Sequence, residues 1–291
     1  MPPLLDQAKL QQWLKLIEER AHRLKAMGVQ YVHINIPEKL TVYDSKLYDP
    51  PIVDWRLSPA MRLREMLRHS QHADVWLDLI DPFRAARDDT QLYYMTDTHW
   101  NPAGCFLAYS LLCEKLGLRA DATLLARPAH EVDSVLDLGL KMEPLIYEHL
   151  KLYDFREKSQ RTFRNVIAQF VDTVTANALV HVGSQVAYKN DSAAAADKKI
   201  VIFGDSYASQ RPDALTAMLA ETVRDVEFIW SSNLDWAYIK RARPDVVIYE
   251  LAERFMTIVP NDRLSLRWTV ARQALKAKWL KLKGGQRPAP A

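Results

Sequence analysis

Lys199-Ile200-Val201-Ile202-Phe203-Gly204-Asp205-Ser206-Tyr207 is the stretch on which the reading of this chain turns. It opens as a short run of β-branched and aromatic residues, the composition of a strand buried on both faces. It stops at Gly204-Asp205-Ser206, where glycine permits a sharp turn at the carboxyl end of the strand. Chemistry in open α/β sheets collects at that end. A helix expected over Asp213 to Leu219 follows, and its N-terminal amides favour negative charge nearby. A serine placed there has a hydroxyl beside backbone N–H groups, which an acyl-transfer nucleophile requires. Gly, Asp and Ser are also ordinary turn residues, so this stretch alone fits a plain turn as well.

The second informative stretch is Thr96-Asp97-Thr98-His99-Trp100-Asn101-Pro102. Asn101 followed by Pro102 reads as a helix N-cap and first helical position. Phe106, Leu107, Leu111 and Leu112 supply the apolar face, and Gly117 can end the helix. Asp97 and His99 therefore lie in the loop entering that helix. In an extended segment residues two apart point the same way. Asp97 could then hold one imidazole nitrogen while the other faces a serine, the logic of a hydrolase triad. Read alone, the segment is equally a capping loop with a solvated histidine.

Together the two stretches resemble the SGNH-hydrolase-like domains of the alginate O-acetyltransferase group, the AlgX and AlgJ type. Ordinary SGNH hydrolases place the serine block first and an Asp-x-x-His near the end. This group is permuted and uses Asp-x-His, as here. Three further stretches carry the resemblance: His33 to Tyr43 with its Pro37-x-Lys39, Asp137-Leu138-Gly139, and Arg243 to Glu250 followed by Glu253-Arg254. The similarity runs from about residue 10 to about residue 260. It implies a flavodoxin-like parallel sheet and an O-acetyltransferase with a Ser206, His99 and Asp97 triad. The implied acceptor is a bacterial exopolysaccharide or cell-surface glycan. The implied acetyl donor is one supplied by a membrane-bound acyltransferase, and the implied location is the periplasm or cell envelope. No cofactor and no nucleic-acid partner are expected.

The 291 residues suffice for one large domain or two small ones, and 48% are apolar, enough for a sizeable core. Cys105 and Cys113 sit eight positions apart on one expected helix, about 12 Å, too far for a bridge. They read as buried thiols. The eight histidines show no zinc spacing. No run is long enough to span a bilayer, and no signal peptide is visible. The relatives' opening strand is also missing, and the sequence leaves open whether the start is natural or trimmed. A cytoplasmic location therefore stays open.

Elsewhere the chain reads as alternating helices and strands, which argues a parallel sheet with helices on both faces. An amphipathic helix is expected over 4–27, with Leu10, Trp13, Leu14, Ile17, Ala21 and Leu24 on one stripe. Five strands are expected, at 29–36, 74–80, 199–203, 226–230 and 245–250. Short helices are expected at 60–68, 82–87 and 235–241, and loop over 43–59 and 189–199. The middle, 120–198, is irregular, with 166–182 apolar enough for a strand or hairpin. Residues 1–262 read as the SGNH-like domain and 263–291 as a basic amphipathic helix and tail. The chain's formal charge is +3, and from Arg263 onward there are eight Lys or Arg and no acid, so the first 262 residues carry −5. A basic helix with Trp268, Leu275 and Trp279 can lie on an anionic membrane, or its stripe can pack on the domain.

In the triad reading His99 accepts the serine proton and returns it to the leaving group. Asp97 fixes the tautomer and stabilises the imidazolium. The Ser206 N–H is the first oxyanion donor, and Gly183, Asn190 and Asn233 are candidates for the others. Tyr207 and Tyr249 could shape the pocket or fill the core. Lys39 could meet an acidic sugar or anchor a turn. Glu253-Arg254 could be an ion pair without a catalytic role. A carbohydrate acetylesterase and a non-catalytic polysaccharide-binding scaffold are the alternative functions.

Overall fold

A computed structural model describes residues 5–46, 54–173, 180–263 and 265–282. Nine strands are seen among them: β1 Gln30–Ile36, β2 Trp76–Leu77, β3 Ala129–Val135, β4 Tyr147–Tyr153, β5 Ser159–Arg164, β6 Gln185–Asn190, β7 Ala196–Gly204, β8 Val223–Trp230 and β9 Val246–Ala252. Seven form one sheet in the order β2-β1-β9-β7-β8-β6-β5, and β3 pairs with β4 as a separate hairpin. The five strands from β2 to β8 are parallel, and β6 and β5 extend the sheet antiparallel. Those five parallel strands are the five expected from the sequence. Counted from the serine strand β7, their order is 2-1-3-4-5, the flavodoxin-like order with the chain started part-way round. The order reverses between β7 and β9, so the turn after β7 opens at the switch point.

The strands form because their side chains are buried on both faces. Along β7, Ile200 and Ile202 enter one core and Val201 and Phe203 the other; along β9, Val246 and Ile248 alternate with Val247 and Tyr249 in the same way. The helix Gln7–Ala26 covers one face through Leu10, Trp13, Ile17, Ala21 and Leu24. Asp6 caps it by accepting from the Lys9 N–H at 2.7 Å. The helix Pro102–Leu116 covers the other face and places Cys105 and Cys113 there as free, buried thiols.

The middle of the chain departs from expectation. The sheet has seven strands rather than five because polar, charged 159–164 and 185–190 add two antiparallel strands. One-sided strands tolerate a polar face, which hides them from a search for apolar runs. Residues 166–173 are helical, not strand or hairpin. Asn165 Oδ1 accepts from the Ile167 and Ala168 N–H groups at 3.2 and 2.9 Å, which starts a helix. Its apolar residues, Ile167 and Phe170, pack against Ala277 of the C-terminal helix. Of the rest of that expected segment, 174–179 lies outside the described residues, as does 47–53 of the expected loop, and 180–182 is not strand. The expected strand at 74–80 shrinks to Trp76–Leu77 because Asp78 Oδ1 accepts the Ile80 N–H at 3.0 Å and helix Ile80–Ala86 begins there. The helix expected at 213–219 spans Leu215–Ala220, too short to act as an anion site.

Candidate active site

The turn after β7 is fixed from beneath. The Asp205 carboxylate accepts the Tyr207 N–H at 3.0 Å through Oδ1 and the Ala252 N–H at 2.8 Å through Oδ2. Its own N–H donates to Glu250 Oε2 at 3.0 Å. A side chain at Gly204 would bring a Cβ within 2.5 Å of that oxygen, which is why glycine stands there. Glu250 is fully buried, and burial together with the neighbouring Asp205 charge pushes its carboxyl well above the usual range. Both causes favour the protonated form of this carboxyl.

Ser206, held by this turn, meets the second loop across the cleft. Its Oγ lies 2.7 Å from His99 Nε2, and His99 Nδ1 lies 2.6 Å from Asp97 Oδ1. The His99 backbone N–H donates to the same Asp97 oxygen at 2.9 Å. Residues 107 positions apart are thus brought into hydrogen-bond contact. Burial raises the Asp97 carboxyl, but the His99 hydrogen bonds and charge, with Arg211 nearby, outweigh it and hold the group below the usual aspartate range.

The loop carrying Asp97 and His99 is braced on three sides. Glu148, on β4, accepts from the Met95 and Thr96 N–H groups, each at 2.8 Å, and from Thr96 Oγ1 at 2.7 Å. Asp137 accepts from the Thr98 N–H at 2.9 Å and Thr98 Oγ1 at 2.6 Å. The Leu138 and Gly139 N–H groups donate to the Thr96 carbonyl at 2.9 and 3.1 Å. Lys39 Nζ donates to the Met95 carbonyl at 3.0 Å, so this lysine anchors the loop. From the serine side, Tyr207 Oη donates to the Thr98 carbonyl at 2.7 Å while its ring packs on His99 and Trp100. Arg254 Nη2 donates to Tyr207 Oη at 2.6 Å, and Arg254 Nε donates to Glu38 at 2.7 Å. Arg254 is therefore paired with Glu38 and not with Glu253. Glu253 instead accepts from the Glu38 N–H, Thr41 Oγ1 and the Ala60 N–H.

The Ser206 N–H makes no hydrogen bond among the described residues and remains available to an oxyanion. The other expected donors are placed differently. The Gly183 N–H is spent on the Trp230 carbonyl at 2.8 Å. Asn190 binds the Ala220 and Glu221 carbonyls, beside the start of β8 and so at the opposite end of the sheet. Asn233 Oδ1 accepts from the Asn261 N–H, in the connection after β8. Tyr249 is a core residue under the Arg20 guanidinium.

A small cavity of about 30 Å³ opens beside Ser206, lined by Tyr94, His99, Trp100, Tyr207, Arg211 and Asp213 among others. Arg211 is oriented by Asp213, donating through Nε at 2.9 Å and Nη2 at 2.6 Å. Sequence reasoning missed Tyr94, Arg211 and Asp213 as wall residues; the sole signal was the nearness of Arg211 and Asp213 to the serine. Asp97, His99 and Asp137 offer donor atoms within 4.8 Å of one another, a spacing that could admit a metal ion. Their donor atoms are already engaged with each other, with Ser206 and with Thr98, so the chemistry of the set favours proton transfer.

The sequence from residue 2 to 253 matches the family model described as the SGNH hydrolase-like domain of acetyltransferase AlgX. The chain belongs to that family. None of the curated proteins matches it. Among solved structures, it is similar to Bacillus cereus PatB1 carrying a sulfonyl adduct, with a TM-score of 0.62, 16% identity, and 88% of this chain and 91% of that one covered. It is similar to the O-acetyltransferase domain of Pseudomonas putida AlgJ, with a TM-score of 0.55, 19% identity, and 93% and 91% covered. It is also similar to Pseudomonas aeruginosa AlgX, with a TM-score of 0.53, 13% identity, and 91% and 60% covered. At these identities the likenesses establish the fold, and the SGNH-like sheet is common to them.

Proposed function

We propose that this chain is an O-acetyltransferase that carries acetyl on Ser206 and passes it to hydroxyls of a bacterial exopolysaccharide or cell-surface glycan. The observation that carries the reading is the position of His99, within 2.7 Å of Ser206 Oγ and 2.6 Å of Asp97, in a member of an acetyltransferase family. Ser206 Oγ attacks the acetyl carbonyl as its proton moves to His99 Nε2. The Ser206 N–H stabilises the oxyanion, and Asp97 stabilises the imidazolium. Collapse breaks the bond to the donor's leaving oxygen, which takes the proton from His99. In the second half His99 deprotonates the glycan hydroxyl, which attacks the acetyl-serine carbonyl. Collapse returns the proton to Ser206 Oγ and releases the acetylated glycan.

Family membership is consistent with work at the cell envelope, and in this proposal the acetyl is handed over by a membrane-bound acyltransferase. Among the described residues no helix is long and apolar enough to cross a membrane. The test is incubation with an acetyl ester, with and without acidic and neutral oligosaccharides, and mass spectrometry of protein and sugar. The expected result is an acetyl on Ser206 and on the sugar, both absent in Ser206→Ala. Acetate with no acetylated sugar would make the chain an acetylesterase. No acylation of Ser206 would leave a glycan-binding scaffold.

A further inference from the structure

The C-terminal helix Leu266–Leu282 has two apolar faces, and the domain uses one of them. Leu266 and Ala277 are buried, and Val270 and Ala274 pack with Ala277 against Ile167, Phe170 and Val180. The helix is fixed at its start by the Leu266 N–H donating to Asp235 Oδ2 at 2.8 Å. Val270 also closes over Gly183, where an added Cβ would lie 3.2 Å from its methyl. Trp268, Leu275 and Trp279 stand on the other side, 80%, 71% and 52% exposed. At about 100° per residue these three fall within about 40° of one another, and about 180° from the packed face. The stripe of Trp268, Leu275 and Trp279 is therefore turned outward, and a different set of residues does the packing.

Charge is arranged around the exposed stripe. On the same helical wheel Arg272 and Lys276 flank it on one side, and Arg267 and Lys278 on the other; all four are exposed. No acid occurs from Arg263 to the end of the chain, whereas the preceding 262 residues carry a formal −5. A narrow apolar ridge of tryptophan and leucine between two rows of cations is the pattern of a helix lying in a bilayer interface. The indoles sit at headgroup depth, the leucine reaches the acyl boundary, and the long basic side chains extend to lipid phosphates. A soluble acidic polymer would satisfy the cations but give Leu275 nothing to enter.

We propose that this outer face docks the domain on an anionic lipid surface. The packed face keeps the helix attached to the domain while the exposed face contacts the headgroups, so the catalytic domain is held at the surface without a membrane span. The proposal stands apart from the acetyltransferase reading, because it concerns no residue of the Ser206 site.

The full chain is mixed with vesicles of phosphatidylcholine alone or with phosphatidylglycerol added, and bound protein is measured by co-sedimentation. Binding is expected with the anionic vesicles and not with the neutral ones. It should fall steeply from about 0.05 to about 0.5 M salt as screening shortens. Each flanking cation is expected to contribute about a fivefold factor. The variant R267Q/R272Q/K276Q/K278Q should thus bind by roughly two to three orders of magnitude less. W268S/L275S should lose at least about tenfold, since both side chains leave water on binding. Hydrolysis of a soluble acetyl ester and the thermal melt, unchanged in both variants, show the domain intact. Absence of binding to anionic vesicles overturns the proposal, as does binding that salt does not weaken. So does vesicle binding that either folded variant retains in full. Self-association abolished by W268S/L275S, seen by sedimentation without vesicles, would assign the face to a second copy of this chain instead.

Discussion

Replacing Asp97 by Asn isolates the charge of the site from its geometry. Both hydrogen bonds from His99, through its backbone N–H and through Nδ1, end on the same Asp97 oxygen, Oδ1. An asparagine carbonyl in that place keeps both, so the loop and the imidazole stay oriented. What disappears is the negative charge that, in the proposed mechanism, faces the imidazolium as Ser206 loses its proton. With charge centres about 4 Å apart and an effective dielectric of about 20, that attraction amounts to ~4 kcal/mol. The expected loss in kcat/KM on p-nitrophenyl acetate is therefore about 10²–10³-fold. KM should move little, because the charge acts when the imidazolium forms. Asp97→Ala removes the orientation as well and should lose no less. A folded Asn variant within about tenfold of the wild type would refute the role assigned to the carboxylate. The direction of the Asp97 shift adds a pH signature. Its folded value is depressed, so its stabilising contribution is present above the unfolded aspartate value and is lost as pH falls through the lower folded one. The wild type should accordingly keep an anionic Asp97 at pH values where a solvated aspartate has begun to protonate.

Two further perturbations test the supports of the site. Tyr207→Phe keeps the ring on His99 and Trp100 but removes the bonds to the Thr98 carbonyl and Arg254. It should cost about 2–4 kcal/mol in urea unfolding, one lost bond being charge-assisted. It should lower kcat by about 10–100-fold with a smaller effect on KM, as the histidine loop shifts against the serine; an unchanged kcat would deny Tyr207 a positioning role. Glu250→Gln substitutes a neutral amide for a carboxyl that is protonated in the folded chain. A raised folded value means that wild-type stability is full below the unfolded glutamate value and declines as pH rises toward the folded one. The Gln variant should lack that decline, seen by comparing urea unfolding at about pH 5 and about pH 8. Parallel pH profiles for the two proteins would mean that Glu250 is ionised in the fold.

The parallel strands were legible because each is buried on both faces, so a run such as Ile200 to Phe203 has few other places to go. The helix after Asn101-Pro102 was legible because capping is a local act, and its N-cap bond to Gly104 closes within three residues. Asp97 and His99 could be paired from spacing alone, two positions apart in one loop. The polar strands β5 and β6 were not legible, because their partners lie far along the chain and one face meets water. The turn of Asn165 into a helix start likewise needed the apolar face of the C-terminal helix to receive Ile167 and Phe170.

The sequence by itself determined the parallel α/β core, the buried thiols and the local chemistry of each loop, all of which depend on neighbours a few residues away. Only the tertiary structure decided that Ser206 meets His99, because 107 residues of chain separate them. It alone showed that Asn190 lies at the wrong end of the sheet, that Arg254 pairs with Glu38 and Tyr207, and that the tryptophan stripe of the last helix faces outward. Each of these is a contact between distant segments, and such contacts are set by how the whole core packs rather than by any local preference.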